Sequence, residues 1–256
     1  LNALGSVITN TTLILGVGAL YGTIAVKKKS ALNVWLILGS LTALFTTVLV
    51  KRTISGKADI PRFLGIIFLI AVPIYLYSYL KRSDEPTNLV AKDGDDGVRT
   101  PKKVVMVMIA GLLGSALLVA VSSAVLVATV QVAAKRLGMS EAVISATIVA
   151  LGTSLPELST VIVSVKKGYG GLAFGNLLGA SLMNIFLVLG TTITFSKTAI
   201  QVPMSFLQVI LPLAIGIVTY MIVAIYNTKK RELTRLEGSL FIVIYLIYLL
   251  FNLVSA

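Results

Sequence analysis

Eight apolar runs in this chain are each long enough to cross about 30 Å of hydrocarbon at about 1.5 Å per residue, and they leave few folds open to it. They lie at approximately 3–26, 31–50, 62–80, 104–134, 141–165, 172–195, 203–226 and 237–255. Water is absent from the bilayer core, so such segments close their backbone hydrogen bonds internally, as helices. Composition agrees: 57% of the 256 residues are hydrophobic and 12% charged, too apolar for a soluble globular domain. The chain is read as an all-α integral membrane protein with eight transmembrane helices. The fourth run is longer than a perpendicular crossing needs, which implies a tilted or projecting helix.

The net charge of +12 resides in short Lys and Arg clusters between the runs, a pattern that orients membrane helices and argues against a nucleic-acid partner. Fifteen basic residues, in Lys27–Lys29, 81–103, Lys166, Lys167 and 229–235, fall on one side, and seven on the other. The richer side is expected to be cytoplasmic, with the Lys51–Arg62 loop a local exception. Connections are short except for 81–103, a polar cytoplasmic linker between three spans in 1–80 and five in 104–256. Its Asp93-Gly-Asp-Asp-Gly97 stretch lacks the spacing of a calcium-binding loop and reads as solvated linker. Without cysteine or histidine, thiol and imidazole chemistry are excluded. Trp35 and Tyr75–Tyr79 read as interfacial anchors.

Of the ten carboxylates, Glu157 alone lies deep in an apolar run, within Ala150-Leu-Gly-Thr-Ser-Leu-Pro-Glu157. No Lys or Arg lies deep in any run to neutralise it. An intramembrane carboxylate costs about 2.5–3.5 kcal/mol on insertion scales, so its counter-charge is expected to be a bound metal ion or a proton.

The chain also repeats itself. Asn2-Ala-Leu-Gly-Ser-Val-Ile-Thr-Asn-Thr-Thr-Leu-Ile-Leu-Gly16 aligns without gaps on Asn176-Leu-Leu-Gly-Ala-Ser-Leu-Met-Asn-Ile-Phe-Leu-Val-Leu-Gly190, with seven of fifteen positions identical. The copies lie five crossings apart and so run in opposite directions, an inverted repeat of the kind that places a transporter's substrate site at the repeat interface. Symmetry then predicts a second carboxylate helix before Leu1 and ten spans in a complete protein, of which this chain is expected to be an N-terminally truncated part.

Pro156 cannot donate to the Gly152 carbonyl, so the helix is expected to break or kink there and to leave backbone oxygens lining a cavity. Thr153 and Ser154 share a helical face with Glu157, and carboxylate, hydroxyl and carbonyl oxygens together suit hard cations such as Ca2+ and Na+. The alternative is a plain proline kink with its Glu turned to solvent or to a neighbour. Asn2, Ser6 and Asn10 form a polar stripe at four-residue spacing, matched by Asn176, Ala180 and Asn184. These amides present oxygens to an ion or hydrogen-bond between helices.

Ala150 to Glu157, followed by Gly175-Asn-Leu-Leu-Gly-Ala-Ser-Leu-Met-Asn184, resembles the second α-repeat of the sodium/calcium exchanger family. Asn2 to Gly16 resembles the latter half of the first. The resemblance implies a ten-helix inverted-repeat fold entered at its third helix, and alternating access by sliding of spans against a core of motif helices. It further implies Glu157 as central carboxylate ligand, Thr153 and Ser154 as hydroxyl and carbonyl ligands, and Ala150 as a carbonyl donor. Ser6, Asn10 and Asn184 complete the metal set. Ala180 stands where the family usually has Ser, with Ser181 beside it as a candidate ligand, and Asn184 where several sodium-coupled members have Asp.

The expected function is a Ca2+/Na+ antiporter of the cell membrane, not an enzyme. A Ca2+/H+ exchanger and a passive cation channel are the alternatives. No cofactor is expected, since Ca2+ and Na+ or H+ are cargo. The lipid bilayer is the other partner.

Overall fold

The computed structural model describes residues 2–26, 28–82, 102–136, 138, 144, 149–227 and 232–254. The linker 83–101, its Asp93–Gly97 stretch, Lys27, residues 145–148 and Lys229–Arg231 lie outside the described residues. Helices occupy the expected runs. The first run is α1 (Asn2–Thr9), a π-helical segment π1 (Asn10–Ile14) and α2 (Leu15–Tyr21). Then come α3 (Lys28–Ser55), α4 (Arg62–Arg82) and α5 (Lys102–Arg136). The fifth run contains α6 (Ala150–Thr153) and α7 (Leu155–Lys166). The sixth is α8 (Gly170–Met183), π2 (Asn184–Leu189) and α9 (Gly190–Phe195). The last two are π3 (Phe206–Ile210) with α10 (Leu211–Asn227), and α11 (Arg235–Val254). Among the described residues six helical spans are long and apolar enough to cross a membrane. The 35 residues of α5 make it about 52 Å long, more than a perpendicular crossing.

Helix α3 turns one apolar stripe inward and another outward. On α3, Ala31, Val34, Ile37, Leu41, Leu44 and Val48 are buried at spacings of three and four, while Leu32, Trp35, Leu36 and Leu49 are exposed. Large apolar side chains are likewise exposed along α4, as a lipid-facing surface requires. Tyr77 and Tyr79 are exposed near the end of α4, as expected of interfacial anchors. Tyr75 turns inward instead, accepting a hydrogen bond from Asn33 Nδ2 at 3.2 Å, because Asn33 is buried and needs a partner. The span α1–π1–α2 is the most enclosed, with Ser6, Thr9, Asn10, Thr11 and Thr12 all buried.

The two halves exchange equivalent contacts. Strand β1 (Ile24–Ala25) pairs antiparallel with β4 (Glu232–Leu233), and β2 (Asp59–Ile60) with β3 (Ile200–Gln201). The repeat operation converts one pair into the other. In the same way α2 packs on α11, and its counterpart α9 packs on α4. This exposes a second stretch of the repeat. Asp59 to Leu76 aligns on Glu232 to Leu249, keeping Arg62/Arg235, Gly65/Gly238, Phe68/Phe241, Ile74/Ile247, Tyr75/Tyr248 and Leu76/Leu249. Both crossings depend on glycine. A Cβ on Gly16 would lie 2.7 Å from the Gly238 carbonyl oxygen, and one on Gly238 would lie 2.7 Å from Ala19 Cβ. At the counterpart crossing, a Cβ on Gly65 would lie 2.6 Å from Thr194 Oγ1, and one on Gly190 would lie 3.3 Å from the Gly65 carbonyl oxygen. Small residues let helix backbones approach where lipid supplies no hydrophobic drive.

Two polar devices anchor the helix ends. Lys51 Nζ meets Asp59 Oδ2 at 2.7 Å. Thr234 and Glu237 form a capping box at the start of α11, with the Thr234 N–H donating to Glu237 Oε2 at 2.9 Å, which accounts for a carboxylate at that span's edge.

Gly238→Val forces side-chain atoms into the backbone of α2, and overpacking of this kind costs about 1–3 kcal/mol or more. Its melting temperature in detergent is expected to fall clearly. Gly39→Ala, where no heavy atom lies within 4 Å of the added Cβ, is expected to leave it unchanged or higher.

Candidate cation-binding site

The helix breaks where the proline requires it. Ser154, at φ −98° and ψ 4°, separates α6 from α7, and Pro156 occupies the first turn of α7, where no N–H is needed. Gly152 lets α5 close on the break, since a Cβ there would lie 2.5 Å from Val127 Cγ2. Glu157 falls in the first turn of α7. It is half-buried, and its Oε2 is buried without a hydrogen-bond partner. No basic side chain among the described residues forms an ion pair with it.

The polar face of α1 meets this break. Ser6 Oγ lies 3.3 Å from Thr153 Oγ1, and the Thr153 hydroxyl is placed to donate to the Val149 or Ala150 carbonyl, at 3.0 and 3.1 Å. Ala150 and Ser154 are buried beside it. A second contact lies one turn further along. Asn10 Nδ2 donates to Ser181 Oγ at 3.3 Å, and Ser181 Oγ donates to the Leu177 carbonyl at 3.0 Å. Asn10 Oδ1 is left buried and without a partner. The π1 segment that Asn10 opens packs on both α7 and α8. Asn184 opens π2, which packs on α1; it is half-buried and makes no side-chain hydrogen bond to the described residues.

The eight residues expected from sequence therefore lie on elements that pack together. Ser6, Thr153 and Ala150 form one contact group, and Asn10 and Ser181 another. No hydrogen bond among the described residues ties Glu157 or Asn184 to either group. Two acceptors, Glu157 Oε2 and Asn10 Oδ1, remain buried and unpaired, a state that costs about 1–3 kcal/mol per group unless something donates to it or coordinates it. Among the described residues no cluster of three or more Asp, Glu, His or Cys is present. The oxygens of the two contact groups are neutral hydroxyls, amides and carbonyls, the donors that hard cations accept.

Sequence reasoning missed the π segments. Two of the three described start at Asn10 and Asn184, the paired asparagines of the repeat, and the third at Phe206. In π1, Thr11 donates to the Val7 carbonyl at 2.7 Å and Thr12 to the Ile8 carbonyl at 2.5 Å. A cavity of about 890 Å3 opens between α3, α4, α7 and α8. Thr160 and Ser164, one and two turns beyond Glu157 on α7, line it with Asn33, Tyr75 and Asn176.

Known proteins resemble this chain. The family profile described as sodium/calcium exchanger protein matches residues 1–81 and 107–254. CaxA of Alkalimonas amylolytica is 32% identical over 257 residues, covering 98% of this chain and 77% of CaxA. The sodium/calcium exchanger MaX1 of Methanosarcina acetivorans is 34% identical over 116 residues, which is 45% of this chain and 32% of MaX1. Among solved structures, the sodium-calcium exchanger NCX_Mj superposes with a TM-score of 0.69 at 25% identity, covering 96% of this chain and 74% of that one. The inverted repeat, the broken helix at Glu157 and these matches agree: the chain is a multi-pass membrane transporter that belongs to the sodium/calcium exchanger family.

Proposed function

We propose that the protein exchanges Ca2+ for Na+ across the cell membrane by alternating access, with Glu157 as the carboxylate that either cation must meet. The observation that carries this reading is a buried, unpartnered carboxylate oxygen, Glu157 Oε2, in the first turn after the helix break, with a second unpartnered acceptor, Asn10 Oδ1, in the π1 segment that packs on α7. A carboxylate in that setting is costly when bare and is relieved by a cation, so the loaded site is the one able to close. Because Ca2+ and Na+ are stabilised by the same oxygens, each displaces the other, which is the basis of exchange. Thr153 and Ser6 contribute hydroxyl oxygens, Ala150 and Ser154 contribute carbonyl or hydroxyl oxygens at the break, and Asn10 and Asn184 contribute amide oxygens. MaX1 and NCX_Mj, both named as sodium and calcium exchangers, support Na+ as the coupling ion.

Ca2+/H+ exchange is the second reading. It is favoured by Asn184, a neutral side chain where several sodium-coupled members have Asp, because a lone Glu157 is neutralised as well by one proton as by one cation.

Reconstituted in liposomes, the protein is expected to take up radiolabelled Ca2+ when a Na+ gradient is imposed. Glu157→Gln is expected to reduce that uptake to background. Uptake driven by a pH gradient alone would transfer the assignment to Ca2+/H+ exchange, and uptake indifferent to both gradients and to the substitution would indicate a passive pathway.

Pro156→Ala restores an N–H facing the Gly152 carbonyl and favours a continuous helix, since proline inside a helix costs about 3 kcal/mol. Uptake is expected to fall several-fold in this variant while its melting temperature in detergent holds or rises.

A further inference from the structure

The repeat pairs Asn10 with Asn184, yet their surroundings differ. Asn10 is fully buried and its amide nitrogen is occupied by Ser181 Oγ. Ser181 is itself fully buried, and its own proton is committed to the Leu177 carbonyl, which leaves a lone pair facing the Asn10 amide. An asparagine side chain has a donor end and an acceptor end that are nearly the same shape. Securing the donor end therefore determines where the acceptor end points. In the other half, the residue paired with Ser181 is Val7, which has no polar atom to hold Asn184 in this way.

We infer that Ser181 is a positioning residue for cation binding: by accepting from Asn10 Nδ2 it holds Asn10 Oδ1 toward the ion and keeps the amide protons away from it. This rests on the cation-exchange reading above. With its proton on the Leu177 carbonyl and a lone pair on the Asn10 amide, Ser181 Oγ acts on the ion through Asn10. The two halves then contribute unlike groups, an amide oxygen pre-oriented at Asn10 and an adjustable one at Asn184. Loss of the Ser181 hydroxyl lets the Asn10 amide turn over and present N–H groups to the cation, which weakens binding at equilibrium.

The test is a cycle of equilibrium binding measurements with radiolabelled Ca2+ on the purified protein in detergent. Ser181→Ala is expected to raise the half-saturating Ca2+ concentration roughly two- to tenfold, the range for one lost hydrogen bond. In the Asn10→Asp background the same substitution is expected to have no effect, because both ends of a carboxylate are acceptors and neither needs orienting. Ser181→Cys, close in size but a weak acceptor, gives a smaller rise and replaces the alanine variant if that variant does not fold. An equal rise in both backgrounds would make Ser181 a direct ligand and overturn the inference. So would a Ser181→Ala variant that binds like the parent, or an Asn10→Asp protein that no longer binds Ca2+. Glu157→Gln runs alongside: if the parent binds no Ca2+, or binds it equally well without Glu157, the exchange reading falls and this inference with it. Glu157-dependent binding that ignores Ser181 overturns only the role of Ser181.

Discussion

Everything distinctive about this fold follows from the absence of water around its backbone. In hydrocarbon, each freed carbonyl or N–H needs an internal partner, so irregular helix survives only where other groups take over. The break at Ser154 and the π segments at Asn10 and Asn184 are such places, and they lie on elements packed together. Threonine hydroxyls attend to the backbone there: Thr153 at the break, Thr11 and Thr12 in π1. Side-chain oxygens of Glu157 and Asn10 are among the buried acceptors left without a partner.

The helical framework was legible in the sequence because membrane helices are written as long apolar runs, and the break was legible because Pro156 and Gly152 have fixed conformational consequences. Glu157 stood out by charge alone. The π segments were not legible, since widening a helix by one residue depends on what packs beside it, and nothing in Asn-Thr-Thr-Leu-Ile demands it. Tyr75 was misread for a related reason. An aromatic near a span's end is usually an interfacial anchor, and only the packing of α3 against the cavity shows a buried Asn33 that needs its hydroxyl.

The repeat was half legible. Asn2–Gly16 and Asn176–Gly190 align by eye because their asparagines and glycines are rare in apolar helices. Asp59–Leu76 and Glu232–Leu249 escape notice because most of the positions at which they differ exchange one apolar residue for another, which lipid tolerates equally. Gly65 and Gly238 persist there because each lies where a backbone crosses, and a crossing admits no side chain. Symmetry of the scaffold therefore coexists with asymmetry at the candidate site, where the repeat matches Ser6 with Ala180 and Val7 with Ser181.

The two short sheets bear on how such a molecule moves. Strands β1 and β2 bracket α3, so the pairs they form with β4 and β3 join the halves at opposite ends of that helix, and the second pair is extended by the Val202 N–H to the Ala58 carbonyl at 2.7 Å. A protein stitched along both margins cannot open like a book without tearing one of the seams. Helices α5 and α7 carry no strand of either seam, so a lengthwise shift of either would leave both seams closed, and the contacts it would break are those of α7 with α2 and α8.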